Sequence, residues 1–140
     1  SSNVHHITEQ TIAATSLRRG ITVFGAEPKN ADDAARSLAR GSLQPLAPTA
    51  TIADGLRTTL SPRTLSALRA HVADIATCSE AAIVRAMRMM FERMKQVVEP
   101  SAAVPLACLL ERTIDVGGKR VGVIVSGGNV DLDRLPWQAQ

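Results

Sequence analysis

Aromatic side chains make up 2% of this 140-residue sequence and tyrosine is absent. Single-stranded nucleic acids are gripped by stacking bases on aromatic rings, and Phe24, Phe91 and Trp137 are few and far apart in sequence. Basic runs are missing as well. The formal charge is +3 and the pI about 9.4, but the arginines are spread from Arg18 to Arg134 rather than gathered into a patch. A nucleic-acid partner is therefore not expected. The two cysteines, Cys78 and Cys108, lack the paired spacing of a zinc site or a disulfide framework, so buried free thiols in a reducing compartment are expected. No apolar run approaches the roughly 20 residues of a membrane-spanning helix, and no charged segment followed by an apolar one opens the chain. These absences describe a soluble, cytoplasmic protein without a membrane partner.

What is present is enough apolar sequence, 45% of residues, for one core. Residues 9–19 have helix-forming composition and Gly20 stops them. Ile21 to Ala26 is β-branched and aromatic, a short strand before Glu27-Pro28. A short helix over 30–40 follows, started by Asn30 or Asp32, and then a loop from Gly41 to Thr51 carrying Pro45 and Pro48. Ser61-Pro62 is an N-cap with a first-turn proline, and Leu65, Leu68 and Val72 give that helix one apolar face. Val72 to Cys78 has the composition of a strand. Ser79-Glu80 opens the most regular helix, with Ile83, Met87, Met90, Met94 and Val97 on one side and Pro100 at its end. Its methionines, Met89 included, are expected as core filler, with a subunit contact as the alternative. A second apolar helix spans 101–112. Gly117-Gly118 then turns the chain into Arg120 to Val125, an apolar run expected as a strand buried on both faces of a parallel sheet. The fold class is α/β, a parallel sheet flanked by helices.

Two places carry local chemistry. The run Val123-Ile124-Val125 stops in Ser126-Gly127-Gly128, which places a hydroxyl and two side-chain-free backbones at the carboxyl edge of a sheet, where open α/β sheets bind ligands. The same residues also suit a simple tight turn. Glu27 and Asp33 bracket one turn, and two carboxylates with carbonyls and water satisfy a hard cation; they equally suit a solvated surface pair. His5-His6 has no third ligand nearby and fits a frayed terminus or an expression remnant.

Four blocks appear in order: Ala26-Glu27-Pro28-Lys29-Asn30-Ala31-Asp32-Asp33, Thr51-Ile52-Ala53-Asp54-Gly55, Glu92-Arg93-Met94-Lys95 with Glu99-Pro100-Ser101-Ala102-Ala103, and Ser126-Gly127-Gly128-Asn129-Val130-Asp131. Together they resemble the serine racemase and serine/threonine dehydratase family of fold type II pyridoxal-phosphate (PLP) enzymes, over residues 12 to 137. The resemblance implies that Ser126 meets the pyridine nitrogen of PLP with Gly127 beside it. It also implies that the Gly55 backbone lies along the cofactor and that Glu99 is a carboxylate of the cofactor pocket. A neutral hydroxyl partner does not hold the ring nitrogen protonated as a carboxylate would, which suits β-elimination. Glu27, Asp33 and the Ala31 carbonyl match the family's ligands for magnesium, manganese or calcium.

The departures are as informative. In the family the cofactor is held as a Schiff base on a lysine, and Lys29, Lys95 and Lys119 do not stand in that lysine's context. No glycine-rich phosphate loop precedes the first helix, where residues 1 to 9 read SSNVHHITE. The expectation is thus the C-terminal part of the large domain over residues 12–140, with 1–11 unassigned, and no catalytic lysine of its own. The parent activity implied is deamination of serine or threonine, or serine racemisation, in a homo-oligomer. The alternatives are a non-enzymatic short form that binds a cation or partner subunit, and another PLP enzyme of β-replacement.

Overall fold

The computed structural model describes residues 3–48 and 50–138, with side chains described from Glu9 onward; those of His5 and His6 lie outside the described residues. Two strands, β1 (Phe24–Pro28) and β2 (Asp74–Cys78), pair in parallel, with Glu27 opposite Thr77 and Pro28 opposite Cys78. A parallel pair needs a crossover, supplied here by α2 (Asp33–Arg40) and α3 (Pro62–His71). Helix α1 (Asn3–Leu17) starts earlier than residue 9, and it packs on α3, where the Thr15 hydroxyl lies 3.0 Å from His71 Nδ1. Strand β1 begins and ends later than Ile21 to Ala26 because its extent is set by pairing with β2. Its Gly25 is required there, since a Cβ would lie 2.9 Å from Ile75 Cγ1 on the neighbouring strand.

The main core lies between β2, α4 (Glu80–Met89) and α5 (Pro100–Leu110). Ala82, Ala86, Ala103 and Ala107 let these two helices approach closely, and Ile83, Met87 and Val104 fill the space between them. Cys78 and Cys108 are buried in this layer as free thiols. Their mutual hydrogen bond, together with burial, pushes the Cys78 thiol up. Smaller apolar contacts among Ala34, Leu68, Val72 and Ile75 seat α2 and α3 on the other side of the strands. No helix among the described residues is long and apolar enough to cross a membrane.

Three expectations are corrected. The helix after Ser79 does not run to Pro100. It passes into a π-turn over Met90–Met94 and stops at Lys95, whose φ of 58° is left-handed, and Pro100 instead opens α5 as its first residue. Met87 and Met90 are core, as expected, but Met94 is 59% exposed and Met89 also reaches the surface. Arg120 to Val125 forms no strand. Its backbone finds no ladder partner among the described residues, so Ile124 is 56% exposed and Val121, Val123 and Val125 lie on the surface instead of between two helical layers.

Both Ser61 and Ser79 cap helices, accepting from the amides of Thr64 at 3.1 Å and Ala82 at 3.2 Å. Ser79 carries more, because its hydroxyl and amide both donate to Glu111, just past the end of α5, at 2.5 and 3.0 Å. Ser61→Ala should cost about 1 kcal/mol, typical of a lost cap. Ser79→Ala should cost more, about 2 kcal/mol, because a carboxylate also loses its hydroxyl donor. Urea unfolding of the two variants checks the order, and equal losses would show that the Glu111 link contributes nothing.

Candidate functional site

The extended segment ending at Ser126 is held from its far side. Glu99, the residue capping α5, donates its amide to the Gly127 carbonyl at 3.2 Å, and its carboxylate accepts the Asn129 amide at 3.1 Å. Gly127 has a φ of +112°, and a Cβ there would sit 2.6 Å from the Glu99 carboxyl carbon. Gly128 is similarly tight, with the Val97 carbonyl oxygen 3.0 Å from where its Cβ would be. The turn is thus a cradle shaped by two missing side chains around one carboxylate. It presents the exposed Ser126 hydroxyl next to it.

Gly55 lies in a single 3-10 turn, Asp54–Leu56, which packs on α5. The approach to that turn is fixed by a group the motifs did not flag: Glu80, at the start of α4, accepts the Ile52 amide at 2.9 Å. Its only sequence signal is the capping position after Ser79. Two further hydroxyls, on Thr58 and Ser101, are buried without a partner, and nothing in their spacing distinguishes them from ordinary polar residues.

Glu27 and Asp33 come together around the start of α2. The Glu27 carboxylate accepts the Ala34 amide at 3.3 Å and the Ala35 amide at 2.9 Å, filling the place of a helix cap. Burial pushes its pKa from the ordinary 4.5 to about 8, against the lowering effect of those amides and with help from the negative Asp33. Asp33 is 1% exposed and raised as well, chiefly by burial, and its Oδ2 has no hydrogen-bond partner. Both carboxylates line a cavity of about 40 Å³. Ala31 is buried in the 3-10 turn between them. Among the described residues no three His, Cys, Asp or Glu side chains cluster as metal ligands, so a cation here would meet at most two acidic side chains.

The sequence pattern of the family described as "Pyridoxal-phosphate dependent enzyme" matches residues 9–127. The chain belongs to this family of PLP-dependent enzymes. It is 45% identical over 126 residues to a β-hydroxyaspartate dehydratase of Paracoccus denitrificans, covering 90% of this chain and 40% of that protein. It is 42% identical over 133 residues to a serine racemase of Arabidopsis thaliana, covering 91% and 40%. The structure of maize serine racemase superposes with a TM-score of 0.87 at 41% identity, over 95% of this chain and 42% of that one. The chain therefore spans about 40% of the length of the curated relatives it matches. The α/β architecture is that of fold type II PLP enzymes, as the sequence resemblance implies. The residues present fit PLP in the chemistry of their donor set, because the exposed Ser126 hydroxyl can donate to a pyridine nitrogen, while Glu99 fills the place of a Gly127 side chain.

Two outcomes follow for this PLP-family chain. Gly127→Ala should lose about 1–3 kcal/mol, because an L-residue is strained at that φ and its methyl meets Glu99. The loss should shrink in a Glu99→Ala background, where the clash is gone and only the strain remains. Thermal unfolding of the two single variants and the double variant measures this coupling.

For Glu27 the folded protein holds a proton that the unfolded chain releases above about pH 4.5. Its contribution to stability is therefore complete below that value and is lost as pH rises through about 8. In chelator, the unfolding midpoint should fall across this interval, and Glu27→Gln should flatten the fall. An unchanged pH profile in that variant would place the titration elsewhere.

Proposed function

We propose that this chain forms the ring-nitrogen and cation-binding part of a PLP enzyme acting on β-hydroxy amino acids, as a serine/threonine dehydratase or a serine racemase. The observation carrying this reading is the Glu99 clasp on Gly127 and Asn129, which fixes the turn that presents Ser126. Bound PLP acts as the electron sink for charge developing at the substrate Cα. Toward it, Ser126 would offer a neutral hydroxyl to the ring nitrogen and Gly127 and Gly55 close backbone, while Glu99 holds the turn in place. A hydroxyl there, unlike a carboxylate, would not hold the ring nitrogen protonated, which suits β-elimination. Curated relatives named for serine and for hydroxyaspartate both carry a β-hydroxyl in their substrates, and this supports that substrate class.

A divalent cation, magnesium, manganese or calcium, belongs to this proposal, held by Glu27, Asp33 and the Ala31 carbonyl. Asp33, which lines a cavity and carries an unpartnered oxygen, supports it. We also propose association with another polypeptide, a second copy included, along the exposed apolar residues Val121 to Val125, and a cytoplasmic location in keeping with two reduced thiols.

The 140 residues alone should release no ammonia from serine, threonine or 3-hydroxyaspartate, because Lys29, Lys95 and Lys119 lie outside the family's lysine context. Incubation with PLP, borohydride reduction and peptide mapping should find no stoichiometrically labelled lysine. Mixed with a polypeptide bearing the family's lysine and phosphate loop, the chain should gain ammonia release or serine racemisation, and Ser126→Ala should depress it. Turnover by the 140 residues alone, or none of either kind in the mixture, would overturn the proposal.

A further inference from the structure

The cavity between β1, α2 and α3 has a third polar wall beyond Glu27 and Asp33. Thr58, three residues after Gly55, lines it, and the Thr58 hydroxyl is buried with no hydrogen-bond partner. Asp33 lines the same cavity, and its Oδ2 is also buried and unpartnered. The remaining lining is largely aliphatic, with Leu56, Leu60, Leu68 and Ile75 contributing. A buried hydroxyl and a buried carboxylate oxygen left unsatisfied on one small apolar-walled space each carry a desolvation cost, and a single ion with its water would relieve both.

We propose that the Thr58 hydroxyl is a neutral oxygen donor to the shell of a divalent cation held by Glu27 and Asp33. The inference rests on the cation reading above and adds a residue from a different segment of the chain. Oxygen is the donor a hard cation accepts, and a neutral one adds coordination without adding negative charge. Thr58 also joins the ion to the Asp54–Leu56 turn, so that occupancy of the site fixes the backbone carrying Gly55.

Manganese(II) alone is the probe, titrated into the protein with free ion read by electron paramagnetic resonance. Wild type should bind one equivalent, and Asp33→Asn should abolish binding. Thr58→Val should weaken it by about ten- to a hundredfold, the usual effect of losing a group that supports a metal's ligands. Thr58→Ser should bind like wild type, and Thr58→Ala gives a second removal of the oxygen. Thermal unfolding in chelator accompanies the titration. Thr58→Val should unfold at or above the wild-type midpoint, because a methyl replaces a hydroxyl that has no partner in the protein. Wild-type affinity in Thr58→Val or Thr58→Ala, with binding abolished in Asp33→Asn, would overturn the role of Thr58 and leave the cation reading intact. So would a chelated Thr58→Val protein that fails to fold, since the hydroxyl would then serve the fold. No binding by wild type, or binding unaffected by Asp33→Asn, would overturn the cation reading itself.

Discussion

The parallel ladder between β1 and β2 decides where each candidate group lies. Parallel strands leave a sheet by the same edge, so the chain emerging after Pro28 and the chain emerging after Cys78 start side by side. The first supplies the carboxylate turn of Glu27 and Asp33. The second supplies Ser79 and Glu80, and through Glu80 it holds the segment leading to Gly55. The ladder itself depends on Gly25, because any side chain there would meet Ile75. A one-residue slip would turn Glu27 to the opposite face and separate it from the α2 amides it caps.

The acidic residues at this edge act mainly on backbone. Glu27, Glu80, Glu99 and Glu111 each accept at least one main-chain amide from another segment, whereas ion pairs such as Arg36–Asp32 and Arg88–Glu92 are partly exposed and local. A surface pair of that kind contributes little, while a carboxylate accepting an amide is a stronger, shorter-range anchor. Net positive charge therefore says little about this protein. The arginines lie largely outside, and four acidic side chains tie segments together through backbone amides. Glu27 differs from the others in depth, since burial outweighs its two amide bonds and keeps the proton on it near neutral pH.

Those parts of the fold that rest on local chemistry were legible in the sequence. Ser61-Pro62 and Ser79 predicted helix starts that the structure places at those positions, and the Ser126-Gly127-Gly128 run signalled a close backbone approach that Glu99 explains. The Asp33 and Glu27 pairing was visible as spacing across one turn. Contacts between distant segments left no such trace. Glu80 reaching Ile52, Glu111 reaching Ser79 and Thr58 lining the same cavity as Asp33 join residues whose separations match no periodicity. The apolar spacing of Met94 and Val97 continued a helical pattern past Lys95, where the left-handed backbone actually ends it. Periodicity registers which faces are apolar and does not register a break made by a single φ.

Arg120 to Val125 shows the same limit from the opposite direction. An apolar run specifies burial, but burial of a strand needs amide partners on its flanks, and these lie outside its own sequence. Among the described residues the run has none, yet the turn at its end is ordered by Glu99 through Gly127 and Asn129. Ser126 is thus positioned from its C-terminal side alone. A strand or second subunit laid along Val121 to Val125 would supply the missing ladder bonds and cover the apolar side chains. It would fix Ser126 from the N-terminal side as well, so docking there and positioning the Ser126 hydroxyl would be one physical event.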